Sequence, residues 1–332
     1  MTRKTRYVVV ISLLVTVGSI GTGLVAYYVG LPIIPFSRIG PAELAFVPRD
    51  SSVVAYANVR QVMVSGLRER VAHASRENSF KDQTGIDVES DIDYVVGSLQ
   101  ADATNPSITK SGMMLARGTF NEAKIESLMR DHGARVEQYK RRRFLIAREP
   151  STYIGDQHID QNFALSFLKA GLLAIGNVAV VRRAVDVESS GDAVTKNDDV
   201  MALIKSVDSS TAWAVGRFDT LRKAASLPPA LNQLPAITWF SVSGRFNSGI
   251  DGVVRAETRD EASANDLRDV IRGFIALANL QASSRPELKR LLHSLELGGT
   301  GKTVDLSFQV QGDAFDIISG AVPPTGKKSR GQ

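Results

Sequence analysis

The sequence predicts an α+β protein in which an N-terminal transmembrane helix is followed by two similar antiparallel-sheet lobes with amphipathic helices. An uncharged apolar run near the N-terminus predicts the membrane helix. Short strands alternate with single helices, and many connections are too short for parallel pairing. A strand motif of the first half recurs in the second, which predicts an internal duplication with lobes over residues 49–205 and 206–320.

The apolar run spans residues 7–29 and contains no charged side chain. As a helix it is roughly 34 Å long, which is enough to cross a hydrocarbon core of about 30 Å. The predicted anchor residues include Tyr7, Leu13, Leu14, Tyr27 and Tyr28. A cleaved signal peptide and a buried helix of a soluble protein are the alternatives. The run is, however, longer than the apolar core of about 7–15 residues in signal peptides, and it ends without an A-x-A site.

The residues around the run predict its orientation. Residues 1–6 carry three basic side chains and no acidic one, so this stub is expected in the cytoplasm and the remainder outside the inner membrane. The chain contains no cysteine, which excludes lipidation on cysteine and disulfide bonds. Ser19 and Gly23 have the four-residue spacing that allows two membrane helices to approach closely, and a homodimer contact through them is one interpretation. Glycine is also common in single membrane helices.

The net charge of +5 does not indicate an anionic partner. Three basic residues lie in the N-terminal stub and three more in the tail, residues 321–332. Without these six, the chain has 34 basic and 35 acidic residues, so the body is near neutral. Nucleic-acid binding is therefore not expected. The polar tail has little to pack and is predicted to be disordered.

Four prolines in residues 30–48 predict a stiff, extended spacer after the anchor. The first lobe is predicted to begin with a strand over Val53–Val59. A helix should follow Asn121 and end at Gly133, and the segments Phe163–Leu168 and Gly171–Ile175 are joined tightly enough for a hairpin.

The second lobe is predicted from the repeated motif. Asp50-Ser51-Ser52-Val53-Val54-Ala55-Tyr56-Ala57 resembles Asp208-Ser209-Ser210-Thr211-Ala212-Trp213-Ala214. Ser263 is predicted to open a helix with apolar residues at helical spacing from Leu267 to Ala278. A second helix should follow Pro286, and Val304–Val310 alternates apolar and polar residues as a half-buried strand does.

Three motifs resemble known binding or catalytic sites but lack residues or neighbouring elements that those sites require. Gly299–Thr303 lacks the early glycine of a phosphate-binding loop and lies between a helix and a strand in the wrong order. The acidic series Asp87–Asp93 lacks the turn glycine and the glutamate of a calcium loop, so a solvated acidic edge is favoured over a loose calcium site. Ser107–Lys110 has the serine–lysine spacing of penicillin-recognising enzymes, but it precedes a strand rather than opening a helix. No catalytic residue, cofactor or metal ligand is predicted.

A run of four basic residues lies between two strand-like segments, at the expected tip of a hairpin. The run consists of Lys140, Arg141, Arg142 and Arg143. It is interpreted either as a solvated turn or as a basic contact patch for lipid headgroups or an acidic partner.

Three segments together resemble a known family. Phe46–Tyr56, Trp213–Phe218 and Leu297–Val304 are similar to an uncharacterised family of N-terminally anchored, extracytoplasmic bacterial proteins. The resemblance covers most of residues 46–310. It implies a bacterial origin and a position outside the cytoplasmic membrane, and it supplies no activity or catalytic residue.

The sequence thus predicts a single-pass membrane protein that binds or scaffolds something in the bacterial envelope and is expected to be non-catalytic. Its expected partners are the lipid bilayer, through residues 7–29, and an envelope protein or a second copy of itself. A structural subunit of a larger surface complex is a related hypothesis. The alternative is an envelope hydrolase whose site is assembled from distant residues, for which the first candidates are Asp87, Asp91, Asp93, His132 and His158.

Overall fold

The computed structural model describes residues 39–64, 81–82, 84–100, 112–148, 152–154, 157–159, 162–220, 234–247, 249–282 and 286–311. The predicted anchor over residues 7–29, its helix–helix contact at Ser19 and Gly23, the first part of the spacer and the tail lie outside these ranges. Among the described helices, none is long and apolar enough to cross a bilayer.

The described residues contain fourteen strands and seven α-helices. The strands are β1 (Val53–Asn58), β2 (Ile92–Leu99), β3 (Gly112–Gly118), β4 (Arg135–Tyr139), β5 (Arg142–Arg148), β6 (Thr152–Ile154), β7 (Gln157–Ile159), β8 (Asn162–Lys169), β9 (Leu172–Asn177), β10 (Ala212–Arg217), β11 (Ile237–Phe246), β12 (Gly249–Thr258), β13 (Glu296–Gly298) and β14 (Thr303–Gln311). The helices are α1 (Val59–Val64), α2 (Val88–Asp91), α3 (Glu122–Asp131), α4 (Val178–Ser190), α5 (Asp198–Val207), α6 (Glu261–Gln281) and α7 (Pro286–His293). Two 3₁₀ helices span Ala42–Phe46 and Val194–Lys196.

Twelve of the strands form one antiparallel sheet, in the order β13-β14-β12-β11-β10-β1-β2-β3-β9-β8-β5-β4. The predicted fold class, two separate lobes each with its own sheet, is therefore wrong. The two copies of the repeated motif, β1 and β10, pair with each other in the middle of the sheet, with Val53 opposite Gly216 and Ala57 opposite Ala212. This pairing satisfies backbone groups that two separate lobes would leave as open strand edges.

The two faces of the sheet are covered by different helices. Because side chains alternate along a strand, Val54 and Trp213 point to one face, called here the front, and Ala57 and Ala212 point to the back. On the front, α4, α5 and the 3₁₀ helix Ala42–Phe46 pack over the middle strands and bury Trp213 completely. The back is covered by α1, α2, α3, α6 and α7 in different places.

Side-chain caps determine where four of the helices begin. Asn121, Asn177 and Asn197 accept hydrogen bonds from backbone N–H groups at the starts of α3, α4 and α5. The helix predicted to open at Ser263 begins earlier, because the Asp260 carboxylate accepts from the Ser263 N–H at 2.8 Å. The C-terminal end of α4 is capped by Gly191, whose φ of 67° lies in the left-handed region.

Candidate functional site

The front of the sheet is not covered by described helices over β12, β14 and β13. On these strands α6 and α7 pack against the back, where Leu267 contacts the cluster around Val242 and Leu291 lies beside Val310. The surface, called here the open face, consists of half-buried or exposed side chains: Trp239, Ser243, Arg245, Asp251, Val253, Arg255, Glu257, Thr303, Asp305, Ser307 and Gln309.

The charges on the open face are balanced and largely paired. Arg255 donates two hydrogen bonds to Asp305 across β12 and β14, at 2.8 Å and 2.9 Å. These bonds raise the pKa of the Arg255 guanidinium above its ordinary value. Lys302 forms a further ion pair with Glu257. The pairing leaves a surface of fixed hydrogen-bonding groups with little net charge.

An aromatic residue and a cation mark the border of the open face beside α5. The Arg217 guanidinium lies 5.5 Å from the centre of the Trp239 ring, at a cation–π distance. Arg217 also donates to Asp219 at 3.1 Å. Burial alone would raise the pKa of Asp219, but the hydrogen bond and charge of Arg217, together with hydrogen bonds from Thr220, lower this pKa below its ordinary value. Trp and Arg are the residue types that contribute most often to the energy of protein interfaces.

A second polar site, called here the tether lock, holds the chain that enters the domain. Glu43 is 1% exposed, although a carboxylate is seldom buried without a partner. It accepts hydrogen bonds from Arg117 at 2.6 Å and 2.9 Å and from the Tyr94 hydroxyl at 2.7 Å. Burial would lower the pKa of Arg117, but the hydrogen bonds and charge of Glu43, together with Tyr94, raise this pKa above its ordinary value.

Apolar neighbours place Glu43 at this position. Leu44, Phe46 and Val47 are buried in the front core, so the glutamate that directly precedes them is held against the sheet. Backbone bonds fix the same segment, since Val194 N–H donates to the Val47 carbonyl at 2.8 Å. The end of the predicted spacer, residues 42–48, is thus part of the core rather than an extended connection.

The tether lock continues into a row of aromatic rings on the front face. Tyr56 lies 5.7 Å from Tyr94 on one side and 5.7 Å from Trp213 on the other, measured between ring centres. Burial raises the pKa of Tyr56 to about 12 and, together with the nearby Glu43, raises the pKa of Tyr94. Both tyrosines therefore stay protonated at ordinary pH, which suits packing and hydrogen bonding rather than proton transfer.

The predicted basic patch lies on a hairpin turn, and most of it is ion-paired. The pairs are Lys140 with Asp186, Arg142 with Glu188, and Arg143 with Glu126. Arg141 occupies the turn itself, with a φ of 65°. Three of the four cations thus face acidic side chains, so less positive charge is available than the sequence suggests. Binding of lipid or an acidic partner by this turn stays a prediction.

Four of the five residues proposed for a hydrolase have partners close to them in the structure. The partners are the Glu89 N–H for Asp87, the Asp87 N–H for Asp91, Arg60 for Asp93 and the Leu128 carbonyl for His132. A hydrogen bond from Lys81 lowers the pKa of Asp87. The side chain of His158 lies outside the description. Within the described ranges, no three acidic or histidine side chains are grouped as metal ligands.

Comparisons with known proteins add little to this geometry. No known protein family matches the chain, and no curated protein matches it. One solved structure, described as "Structure of crystal form I of TP0453", is 10% identical, with a TM-score of 0.48. The match covers 86% of this chain and 99% of that one.

Proposed function

We propose that this protein is a single-pass, membrane-anchored binding or scaffolding protein of the bacterial envelope, which presents the open face to a protein partner. The observation that carries the proposal is the open face itself: a broad sheet surface with paired charges and a tryptophan at its border. A surface of this kind complements a polar protein surface and does not favour nucleic acid or anionic lipid.

The open face covers about half of one side of a standard protein interface. Its three strands β11, β12 and β14, spaced by about 4.8 Å and rising about 3.3 Å per residue, give a surface of roughly 450 Å². A standard interface covers about 800 Å² on each partner. Contacts beside these strands, at Arg217 and Lys302, would supply part of the difference.

The tether lock supports a partner close to the membrane. If residues 7–29 span the inner membrane, only residues 30–38 separate that helix from the described fold. Fully extended, they reach at most about 30 Å. The described chain begins directly afterwards, and it is fixed to the fold by the hydrogen bond from Gly40 N–H to Asp208 at 3.0 Å and then by the tether lock. The open face is then held near the bilayer, so the expected partner is itself a membrane or membrane-proximal protein.

The test is native mass spectrometry of the full-length protein, extracted in mild detergent from its own membrane. We expect a co-purifying protein that is lost in Ser243→Arg, on the open face, and kept in Asn265→Arg, an exposed control on α6. Co-purification of no protein, or equal loss in both variants, would contradict the proposal. A saturable small-molecule substrate would favour the hydrolase instead.

The location is tested separately. Because the chain has no cysteine, Gln138→Cys introduces a single exposed label site on β4. A membrane-impermeant maleimide should label it once the outer permeability barrier is opened, with the inner membrane intact. Labelling only after lysis of the inner membrane would refute an extracytoplasmic domain without bearing on the open face.

A further inference from the structure

We propose that a second copy of this chain pairs with the outer edge of β4, with the Val136 residues of the two copies opposite each other. The two sheets would then continue into one another as an antiparallel pair. This proposal goes beyond the function above and does not depend on it, since it concerns the other end of the sheet.

The edge of β4 has the features of a pairing surface. It is the last strand of the sheet and pairs only with β5 among the described strands. Val136 is 38% exposed, one of few large apolar side chains in the described part of the chain with so much contact with water. Arg135 and Gln138 beside it are exposed as well. An exposed edge with a β-branched residue is a template for another strand.

The turn that follows β4 determines which backbone groups face outward. Lys140 and Arg141 both have positive φ and form a two-residue hairpin, so Tyr139 and Arg142 are a hydrogen-bonded pair. Hydrogen-bonded pairs alternate along an antiparallel ladder, so Arg135 and Glu137 also bond to β5. The N–H and C=O groups of Val136 and Gln138 therefore point away from the sheet. These groups can bond to a second copy when the two-fold axis of the pair passes through Val136, Glu137 or Gln138.

The charged residues of β4 favour Val136 as the centre of the strand pair. In that register Arg135 of each copy lies opposite Glu137 of the other, and both side chains are on the front face. Glu137 already pairs with Arg182 of its own chain, so it would accept from two guanidinium groups. Centring on Gln138 would instead place Arg135 opposite Arg141, two like charges. Centring on Glu137 would place the two Glu137 carboxylates, which are like charges, opposite each other.

The register predicts a position-specific cross-link. At the centre of the pair, the two residues at position 136 have α-carbons about 5.5 Å apart. Two residues at position 141 would be separated by ten residues of strand, about 33 Å. The full-length protein in detergent therefore tests the proposal as the single-cysteine variants Val136→Cys and Arg141→Cys, treated with a short bis-maleimide. We expect a covalent dimer from the first variant and monomer from the second.

A charge exchange tests the same register without cysteine. Arg135→Glu and Glu137→Lys should each weaken self-association about tenfold or more, because like charges then face each other. An equimolar mixture of the two variants should restore a mixed dimer, since both cross-strand pairs are again of opposite sign. Tryptophan fluorescence would check that each variant is folded.

Three results would overturn the proposal. They are a monomer at every concentration, equal cross-linking at positions 136 and 141, and a dimer whose affinity is unchanged in Arg135→Glu. If a dimer persists in Arg135→Glu and cross-links through Ser19→Cys, the association belongs to the predicted anchor and not to β4.

Discussion

Loss of Arg117 should destabilise the protein more than loss of Glu43, although the two residues form one ion pair. Arg117→Met leaves a carboxylate that is 1% exposed without its cation, which typically costs about 3–5 kcal/mol. Glu43→Gln leaves a guanidinium that is 30% exposed and still donates to the Ala170 carbonyl at 3.2 Å. Water can reach it, so the expected loss is about 1–3 kcal/mol.

Urea unfolding followed by tryptophan fluorescence measures both losses, since Trp213 is buried beside the tether lock. The double variant Glu43→Gln/Arg117→Met removes both charges and should recover part of the stability lost in Arg117→Met alone. The m-value should stay unchanged, because the extent of surface exposed on unfolding is the same. Equal losses in the two single variants, or a loss below about 1 kcal/mol in Arg117→Met, would refute the reasoning.

Three further predictions concern separate parts of the fold. Burial raises the pKa of Tyr56 from 10.0 to about 12, so the protonated side chain stabilises the fold fully below pH 10 and this stabilisation is lost between pH 10 and 12. Unfolding curves at alkaline pH should show a decrease of about 2–3 kcal/mol in the free energy of unfolding. The decrease should be smaller in Tyr56→Phe. Gly118→Ala should strongly lower the thermal unfolding midpoint, because the added Cβ would lie 1.9 Å from the Asp91 carbonyl oxygen. Gly273→Ala should instead stabilise the protein by about 0.5–1 kcal/mol, because the added Cβ would enter open space beside α6. Arg141→Gly should raise the urea midpoint by relieving a positive φ, and a lower midpoint would show that the Arg141 side chain matters more than the turn.

Local structure could be predicted from the sequence where its cause is local. The strand predicted over Val53–Val59 is β1, and the helix predicted after Asn121 is α3, capped by that side chain. The hairpin predicted from Phe163–Leu168 and Gly171–Ile175 is confirmed by the pairing of β8 with β9. In each of these cases, periodicity and turn residues within a short window determine the structure.

The arrangement of these elements could not be predicted in the same way. A repeated motif shows that two segments prefer the same conformation, but not whether each belongs to its own sheet. Val53 and Gly216, which are opposite each other in β1 and β10, are too far apart in sequence for any local pattern to link them.

The tether lock was missed for a related reason. The available signal was Glu43 within the apolar segment 42–47, where a charge needs a partner. Its partner, Arg117, is 74 residues away, and the prolines nearby favoured an exposed spacer. The open face was missed because the alternation of apolar and polar residues predicts a half-buried strand, but not which helices cover the sheet or which of its regions stay uncovered.

The pairing of β1 with β10 also has a consequence for how the chain acquires its structure. β1, the first of the described strands to be synthesised, cannot complete its hydrogen bonds until more than 150 further residues have followed. Such distant contacts slow folding, since the entropy of closing a long loop is lost before the contacts form. If the chain crosses a membrane unfolded, beginning with the residues that follow the predicted anchor, β1 emerges with an edge that stays unpaired until β10 has followed. A truncation near Lys205 should therefore aggregate rather than fold as a smaller domain.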